Sequence, residues 1–342
     1  MSDTPKTIPC PYALGATFSL EVSPLQEAPF VVEAKVVHVF SPFTMSSAMK
    51  VTLTSESTTM MIAGEAVLKV YDRRFADGIR EEYELDRPTY EEEVRYADYL
   101  LSDNVPQTVP QIYEQAEQLP DDAPEPPELS DHMVALHSKQ LYKGEKTTYS
   151  ALSSLQGKYI PSFYGTTRFL DAYPPGLSTV PGILIEFIPG TNLSRIDPTS
   201  INLDVVCSSA VDIVDRYSDL NVLNRDVRLE NFIVKPNGTE VVMIDFGHCR
   251  LRRENEEDQE WGEIKFCQDE EGAVGCVARN KFGWSYVESR RYDMYGDSTG
   301  TTDRWFNPRT QKTEVIYFES GDDPVVHSQN EEEEVIYSDS DA

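Results

Sequence analysis

Three polar residues between positions 220 and 247 have the types and the spacing that phosphoryl transfer requires. Asp226 is followed five residues later by Asn231, and Asp245 comes nineteen residues after Asp226, at the start of an Asp-Phe-Gly triplet. Carboxylate and amide oxygens suit Mg²⁺, which neutralises the charge of a phosphoryl group during its transfer. A separate carboxylate can orient the accepting hydroxyl group and take its proton. The pattern therefore favours Asn231 and Asp245 as metal ligands and Asp226 as the base.

A β-hairpin is predicted to hold these residues together. The runs 232–234 and 241–244 are rich in β-branched residues, and the Lys-Pro-Asn-Gly sequence between them is typical of a turn. This hairpin would place Asn231 at its entrance and Asp245 at its exit. A helix over 198–217 is predicted to lead into the segment. Its apolar residues recur at helical spacing, at Val206, Ala210, Ile213 and Val214.

The segment resembles the catalytic loop and the metal-binding triplet of protein kinases, His-Arg-Asp-x4-Asn followed by Asp-Phe-Gly. Asn224 stands where the family usually has His, and Arg228 stands where many kinases have a lysine that contacts the transferred phosphate. The resemblance implies that Asp226 and Arg228 are catalytic and that Asn231 and Asp245 bind Mg²⁺. It also implies ATP as the phosphate donor and an α+β fold with two lobes, a β-rich N-lobe and an abbreviated helical C-lobe.

Lys69 lies inside an apolar strand run, 64–71. Burying an ammonium group without a partner is costly, so Lys69 either has a carboxylate partner or lies on the solvated face of an edge strand. The sequence Ala-Val-Leu-Lys resembles the Val-Ala-Ile-Lys strand of kinases. This resemblance implies that Lys69 contacts the α- and β-phosphates of ATP and pairs with a carboxylate on a helix.

The sequence of residues 89–101 predicts a helix that could carry the carboxylate partner of Lys69. Thr89 is the expected N-cap, and Glu92 three residues later completes a capping box. We expect Glu93 to be the partner of Lys69, with Glu92 as the alternative. The residues Val94, Ala97 and Leu101 share a face of this helix.

Two other parts of a nucleotide site leave weaker traces in the sequence. The turn 41–47 lies between predicted strands over 30–40 and 49–54, where a kinase has its glycine-rich loop, but it contains no glycine. Only the small residues Ser46, Ser47 and Ala48 would let backbone amides approach phosphate. The run 182–190 resembles the kinase hinge, which implies that backbone groups of Glu186 and Ile188 bind adenine and that Ile185 lines the site. A buried strand that ends in a turn explains the same residues.

The sequence after Lys69, from Tyr71 to Arg80, is also similar to that of a set of small kinase-like proteins from higher fungi. This resemblance extends over most of residues 30–290 and implies the kinase fold. After Gly247 the similarity weakens, because no Ala-Pro-Glu sequence closes an activation segment.

Composition excludes several classes of protein. The net charge of −29 offers no basic face for a nucleic acid or an anionic membrane, and we expect neither as a partner. The five cysteines have no paired spacing that predicts a zinc site or a disulfide framework. No signal peptide or membrane-spanning run is recognisable. An intracellular protein with reduced thiols is expected.

The predicted organisation has four parts. They are a lead-in over 1–28, a kinase-like N-lobe over 29–188, a reduced C-lobe over 189–312 and an acidic tail over 313–342. An acidic, proline-rich insertion at about 102–148 and the tail are both expected to be disordered. The two histidines of the insertion, His132 and His137, are expected to lie in a solvated or weakly helical stretch rather than to form a metal site.

Three functions remain open on these residues. The first is an ATP-dependent kinase that phosphorylates Ser or Thr of a protein, since Lys69, Glu93, Asp226, Asn231 and Asp245 cover every charged role. The second is a pseudokinase that binds a nucleotide or a partner protein, which the missing glycines and Asn224 favour. The third is a small-molecule phosphotransferase of the aminoglycoside- or choline-kinase kind, which the short C-terminal part favours.

Overall fold

The chain divides into two compact units of mixed α/β structure. The computed structural model describes residues 6–54, 64–118, 126–170, 176–296, 302–307, 312–317 and 325–327. Unit 1 comprises Met1–Ser150 and Pro161–Phe187, and unit 2 comprises Ala151–Ile160 and Ile188–Ala342. An α+β class is therefore confirmed at this coarse level.

Six strands and four α-helices lie in the described part of unit 1. The strands are β1 (Thr17–Ser23), β2 (Phe30–Phe40), β3 (Ser47–Thr54), β4 (Gly64–Val70), β5 (Phe163–Phe169) and β6 (Gly182–Glu186). The helices are α1 (Asp77–Glu82), α2 (Tyr90–Tyr99), α3 (Val109–Glu117) and α4 (Pro127–Ala151), of which α4 ends one residue inside unit 2.

The six strands form a closed antiparallel barrel in the order β1-β2-β3-β4-β6-β5. Buried and partly exposed positions alternate along β1 and β3, as expected where one face of a strand packs on a core. The inward side chains form one apolar cluster that includes Leu20, Met49, Leu68 and Phe169. The predicted strands over 30–40, 49–54 and 64–71 are thus present, whereas closure of the sheet was not predicted.

The lead-in predicted over 1–28 is part of this barrel. Strand β1 closes the sheet by pairing with both β2 and β5. Before it, Ile8 and Tyr12 are buried in the same core. The Tyr12 hydroxyl donates a hydrogen bond to Asp72 Oδ2 at 2.7 Å, which satisfies the polar end of a ring otherwise enclosed by aromatic side chains.

The prediction of a disordered insertion at 102–148 is wrong where the structure describes it. Helices α3 and α4 occupy most of that range, and residues 119–125 lie outside the described residues. Apolar side chains of the two helices pack together, with Ile112 against Leu129, Met133 and Leu136. His132 is buried rather than solvated: its Nε2 lies 2.7 Å from the Pro106 carbonyl oxygen and its Nδ1 lies 3.0 Å from the Tyr96 hydroxyl oxygen.

Helix α2 confirms the predicted capping box but not the predicted face. Thr89 accepts from the backbone amide of Glu92, and the Glu92 side chain accepts from the backbone amide of Thr89. However, Val94 and Leu101 are 62% and 83% exposed, and the buried residue of the helix is Tyr96.

The described part of unit 2 combines helices with small sheets of two or three short strands. Its helices are α5 (Leu203–Asp219), α6 (Asp258–Gln268) and α7 (Glu270–Phe282). Its strands are β7 (Thr191–Asn192), β8 (Val222–Asn224), β9 (Phe232–Val234), β10 (Val241–Met243), β11 (Cys249–Leu251), β12 (Thr302–Asn307), β13 (Lys312–Tyr317) and β14 (Val325–His327). Helix α5 confirms the prediction over 198–217, and all four apolar residues singled out there are buried.

The acidic end of the chain contains strands. The prediction of disorder over 313–342 is wrong for β13 and β14, which form a three-stranded antiparallel sheet with β12. The remaining residues of that range lie outside the described residues. In the part of the chain that the structure describes, no helix has the length and apolar character needed to cross a membrane.

The packing of α5 on α7 predicts a dependence of stability on pH. Burial, and after it a hydrogen bond with the Asp215 carboxylate, raise the pKa of Glu271 from its ordinary 4.5 to about 7. The folded protein therefore holds this proton more tightly than the unfolded chain. The contribution of Glu271 to the unfolding free energy is complete below pH 4.5 and is lost as the pH rises through 7. We expect Glu271→Gln, which resembles the protonated acid, to remove this slope and to stabilise the protein above pH 7.

Chemical denaturation at several pH values measures the slope. The exposed Glu263 on α6 offers a matched control, because Glu263→Gln makes the same chemical change at an exposed position. An unchanged slope in the Glu271→Gln protein would contradict the assignment.

Candidate functional site

The hairpin that carries the candidate residues of unit 2 forms as predicted. Strands β9 and β10 are antiparallel with Phe232 opposite Met243 and Val234 opposite Val241. At the open end of the hairpin, the Ile244 amide donates to the Asn231 carbonyl oxygen at 2.8 Å. This hydrogen bond brings the residues just before β9 and just after β10 together.

Asn231 contacts Asp226 through its amide group. Its Nδ2 donates to the Asp226 carbonyl oxygen at 2.9 Å and lies 3.3 Å from Asp226 Oδ2. The side-chain amide of Asn has one donor nitrogen and one acceptor oxygen. Since the nitrogen is directed at Asp226, the oxygen Oδ1 is the atom that can bind a cation.

The Asp226 carboxylate is half-buried beside a cation and another carboxylate. Arg228 Nη2 lies 3.1 Å from Asp226 Oδ2. Burial raises the pKa of Asp226, the positive charge of Arg228 opposes this, and the negative charge of Asp245 adds to it. A carboxylate whose pKa is raised is a better proton acceptor than an ordinary aspartate. Arg228 is about half exposed, so its guanidinium group is also accessible to a phosphate.

Asp245 has an uncommon backbone conformation. Its φ angle is +67°, in the left-handed region that residues other than glycine rarely adopt. The Gly247 amide lies 3.4 Å from Asp245 Oδ1. Such conformations cost free energy and occur often where a side chain must point in a particular direction for function.

These residues fit Mg²⁺ better than a metal held by protein ligands alone. Among the described residues, no group of three or more His, Cys, Asp and Glu side chains could hold a metal ion. Asp245 and the Oδ1 atom of Asn231 would supply two oxygen ligands, and phosphate and water complete the shell of a Mg²⁺ ion bound in this way. The electrostatic effect of Asp245 on Asp226 fits a cation here, because a positive charge would relieve the repulsion.

Asn224 supports the loop from behind. It is fully buried, and its Oδ1 accepts from the Asp226 amide at 2.8 Å. Its own backbone amide donates to Glu270 Oε1 at 2.7 Å. The side-chain nitrogen Nδ2 of Asn224 is buried without a hydrogen-bond partner in the described structure. The Asn224 side chain thus contacts the backbone of Asp226 directly.

Glu270 in turn forms a buried ion pair with Lys265. Lys265 also donates to Ser218 Oγ at 2.8 Å and to the Val222 carbonyl oxygen at 3.1 Å. Burial lowers the pKa of Lys265, and the charge of Glu270 opposes that shift. A chain of contacts therefore runs from Lys265 through Glu270 and Asn224 to the backbone of Asp226.

In unit 1, Lys69 pairs with Glu145 on α4 and not with Glu93. Lys69 Nζ lies 2.6 Å from Glu145 Oε2, and the Tyr71 hydroxyl donates to the same oxygen. Lys69 is 9% exposed and Glu145 is fully buried, so the solvated-edge alternative for Lys69 is wrong. Glu93 instead pairs with Arg73. The predicted partner was wrong because α4, which supplies the carboxylate, lies in the segment expected to be disordered.

The glycine-free turn between β2 and β3 is anchored to unit 1. Phe43 is buried in the barrel core, and the Thr44 carbonyl oxygen accepts from the Gly78 amide at 2.9 Å. Gly78 permits this approach, because a Cβ atom there would lie 3.1 Å from Thr44 Cα. Ser47 and Ala48 belong to β3, opposite Val70 and Lys69, and so they are not loop residues.

The three hinge candidates lie around the end of β6. Ile185 is buried and stands opposite Val67 of β4. The Glu186 amide donates to the Ser162 carbonyl oxygen at 2.9 Å, and the Glu186 carboxylate accepts from the Ser162 amide and hydroxyl group. Ile188 is buried at the start of the second part of unit 2. The adenine contacts of all three remain predictions.

Sequence reasoning missed four residues that position these groups: Tyr71, Glu145, Lys265 and Glu270. A signal for α4 did exist, since Leu129, Met133 and Leu136 recur at helical spacing. No comparable signal indicates that Glu270 would lie behind Asn224, because that contact joins residues 46 positions apart.

In comparisons with known proteins, no protein-family model matches this chain, and no curated protein matches it.

The ion pair behind the loop predicts a large loss of stability when one partner is removed. Glu270→Ala leaves the buried Lys265 ammonium group without its carboxylate and the Asn224 amide without its acceptor. Breaking such a pair costs about 3–5 kcal/mol of unfolding free energy. Urea denaturation followed by tryptophan fluorescence measures this loss, since Trp261 packs beside Lys265.

The exposed pair Asp212–Arg216 on α5 is the matched control, at 2.7 Å between the charged atoms. Breaking it with Asp212→Asn is expected to cost less than about 1 kcal/mol, because water screens exposed pairs. Similar losses in the two variants would show that Glu270 has no special role.

Proposed function

We propose that the protein is an ATP-dependent phosphotransferase with a bilobal protein-kinase-like fold, which moves the γ-phosphate of Mg-ATP to a Ser or Thr hydroxyl group of a protein. The observation that supports this most is the arrangement in unit 2. There, Asn231 donates to the Asp226 backbone, Arg228 pairs with the Asp226 carboxylate, and Asp245 interacts electrostatically with Asp226. One base, one mobile cation and two oxygen ligands are the groups that phosphoryl transfer needs.

Each residue has a separate role in the proposal. Asp226 orients the accepting hydroxyl group and takes its proton while the hydroxyl oxygen attacks the γ-phosphorus. The bond from that phosphorus to the bridging oxygen breaks, and ADP leaves with the electron pair. Asn231 and Asp245 would hold Mg²⁺, which would neutralise charge on the phosphates. Arg228 contacts the transferred phosphate, and its exposure lets it leave Asp226 to do so.

Unit 1 supplies a cation with a fixed position. Lys69 would contact the α- and β-phosphates, and Glu145 takes over the partner role first assigned to Glu93. Because Glu145 is buried and also accepts from Tyr71, the Lys69 ammonium group is held in one direction. Ile185, Glu186 and Ile188 remain the proposed adenine contacts.

A pseudokinase that binds nucleotide without transfer is the alternative. The observation that favours it is the turn between β2 and β3. Phe43 and Thr44 attach this turn to the rest of unit 1, and it contains no glycine, so its backbone lacks the freedom to fold closely over phosphates. This alternative keeps Asp245 and Asn231 as metal ligands but gives Asp226 no proton to accept.

Ligand-induced stabilisation tests the nucleotide site. At a ligand concentration of about 100 Kd, a ligand that binds only the folded state stabilises it by ~2.7 kcal/mol. For a chain of 342 residues, with an unfolding entropy of about 2.1 cal/mol/K per residue, this stabilisation raises Tm by roughly 4 °C. We expect this shift with ATP and Mg²⁺ together, a much smaller shift with ATP and EDTA, and loss of the magnesium-dependent part in Asp245→Asn.

Asp258→Asn is the matched control, an identical change at an exposed carboxylate of the same unit. Asp226→Asn should keep the shift but lose transfer of ³²P from ATP to protein, whereas a pseudokinase shows the shift without transfer in any variant. The absence of any shift at millimolar ATP would overturn both functions.

A further inference from the structure

Helix α4 is attached to the rest of unit 1 by buried carboxylates near both of its ends. At the C-terminal end, Glu145 meets Lys69 of β4, as described above. Near the N-terminal end, Asp131 Oδ1 lies 2.7 Å from Arg80 Nη1 and 3.3 Å from Arg73 Nη1. Asp131 is 7% exposed and Arg80 is 3% exposed.

The two carboxylates lie on one face of the helix. They are separated by fourteen residues, which is about 3.9 turns and about 21 Å along the axis. Ser138, midway between them at a spacing of seven residues, is buried on the same face. This row of buried polar residues faces the continuous segment that runs from Lys69 through Arg73 to Arg80.

Both partners of α4 therefore come from one short piece of chain. Lys69 is the penultimate residue of β4, Arg73 begins the 3₁₀ helix that follows it, and Arg80 lies in α1. Because a helix packed over this length moves as a rigid body, a rotation or a slide at Asp131 also displaces Glu145. The ion pairs near the N-terminus thus set the register in which Glu145 meets Lys69.

Arg73 extends the same network to α2. Its guanidinium group pairs with Glu93 as well as with Asp131, and it lies 3.8 Å from the centre of the Tyr96 ring. A cation in contact with two carboxylates and an aromatic face joins α2 to α4. This explains why Glu93 is directed at Arg73 and is not free to serve Lys69.

We propose that Asp131 is a positioning residue: through Arg80 and Arg73 it holds α4 in the register that keeps Glu145 on Lys69. The inference concerns contacts within unit 1, and only its consequence for nucleotide binding rests on the proposed function. Asp131 itself touches no reacting group.

The reactivity of the Lys69 amine tests the proposal without any nucleotide. An ammonium group that is paired and buried reacts slowly with acetic anhydride, and mass spectrometry measures the extent of acetylation of Lys69 over time. Glu145→Gln should accelerate labelling. Asp131→Asn should also accelerate it, about threefold or more, in the range of coupling found between residues of one network.

The double variant shows whether Asp131 affects the reactivity of Lys69 through Glu145 or independently of it. If Asp131 acts through Glu145, then Asp131→Asn adds little labelling in the Glu145→Gln background. The proposal would be overturned if the two substitutions multiplied their effects on the rate of Lys69 acetylation. It would also be overturned if Asp131→Asn alone left that rate unchanged. If Asp131→Asn does not fold, Arg80→Lys takes its place, since it retains the charge but has one nitrogen in place of the three with which Arg80 contacts both Asp131 and the Asp86 carbonyl oxygen.

Two controls separate register from general loosening. Val32→Ala removes buried volume from β2 in the barrel and should destabilise the protein without changing Lys69 labelling. Glu21→Gln breaks the exposed pair with Arg168 and should change neither quantity.

A nucleotide readout then links the network to function. If Lys69 contacts phosphates, Asp131→Asn should raise KM for ATP about threefold or more and change kcat less. This effect should occur when Glu145 is present and should be absent in the Glu145→Gln variant. Altered labelling without altered ATP binding would leave the role of Asp131 intact and reject Lys69 as a phosphate contact. Unaltered labelling would reject the role of Asp131 whatever the nucleotide result.

Discussion

A buried ammonium group must meet a carboxylate, and this constraint organises both units of the protein. Lys69 and Lys265 are each withdrawn from water, and each pairs with a glutamate carried by a helix. An isolated charge in such surroundings costs several kcal/mol. The lysines therefore fix where α4 lies in unit 1 and where α7 lies in unit 2.

In unit 2 the Lys265–Glu270 pair is connected to the candidate residue Asp226 by hydrogen bonds of the backbone. Glu270 uses one oxygen for Lys265 and the other for the Asn224 amide, and Asn224 accepts from the Asp226 amide. Hydrogen bonds to backbone amides fix the path of the chain whatever side chains the bonded residues carry. The loop is thus held in place by residues that would never be recognised as catalytic. In unit 1, by contrast, the pair includes Lys69, which is itself a candidate site residue.

Local signals in the sequence were sufficient for local structure. The hairpin over 232–243 was predictable because two β-branched runs flank a turn, and the cap of α2 was predictable because Thr89 and Glu92 satisfy each other three residues apart. Contacts between distant residues were not. Glu145 lies 76 positions from Lys69, in a helix whose buried face includes Asp131, Ser138 and Glu145. Such polar residues, next to a proline-rich stretch, are typical of a solvated segment when they are considered by composition alone.

The strained and unsatisfied features of the protein bear on whether unit 2 acts on a ligand. Asp245 adopts a positive φ angle, and among the described residues no group lies within hydrogen-bond distance of the buried side-chain nitrogen of Asn224. A residue other than glycine in the left-handed region costs roughly 1–3 kcal/mol. Both residues lie in the segment 224–245, where Asn231 also directs its amide nitrogen to Asp226. If Asp226, Asn231 and Asp245 act together on a ligand, as proposed, the backbone held in this way would fix the directions of their side chains.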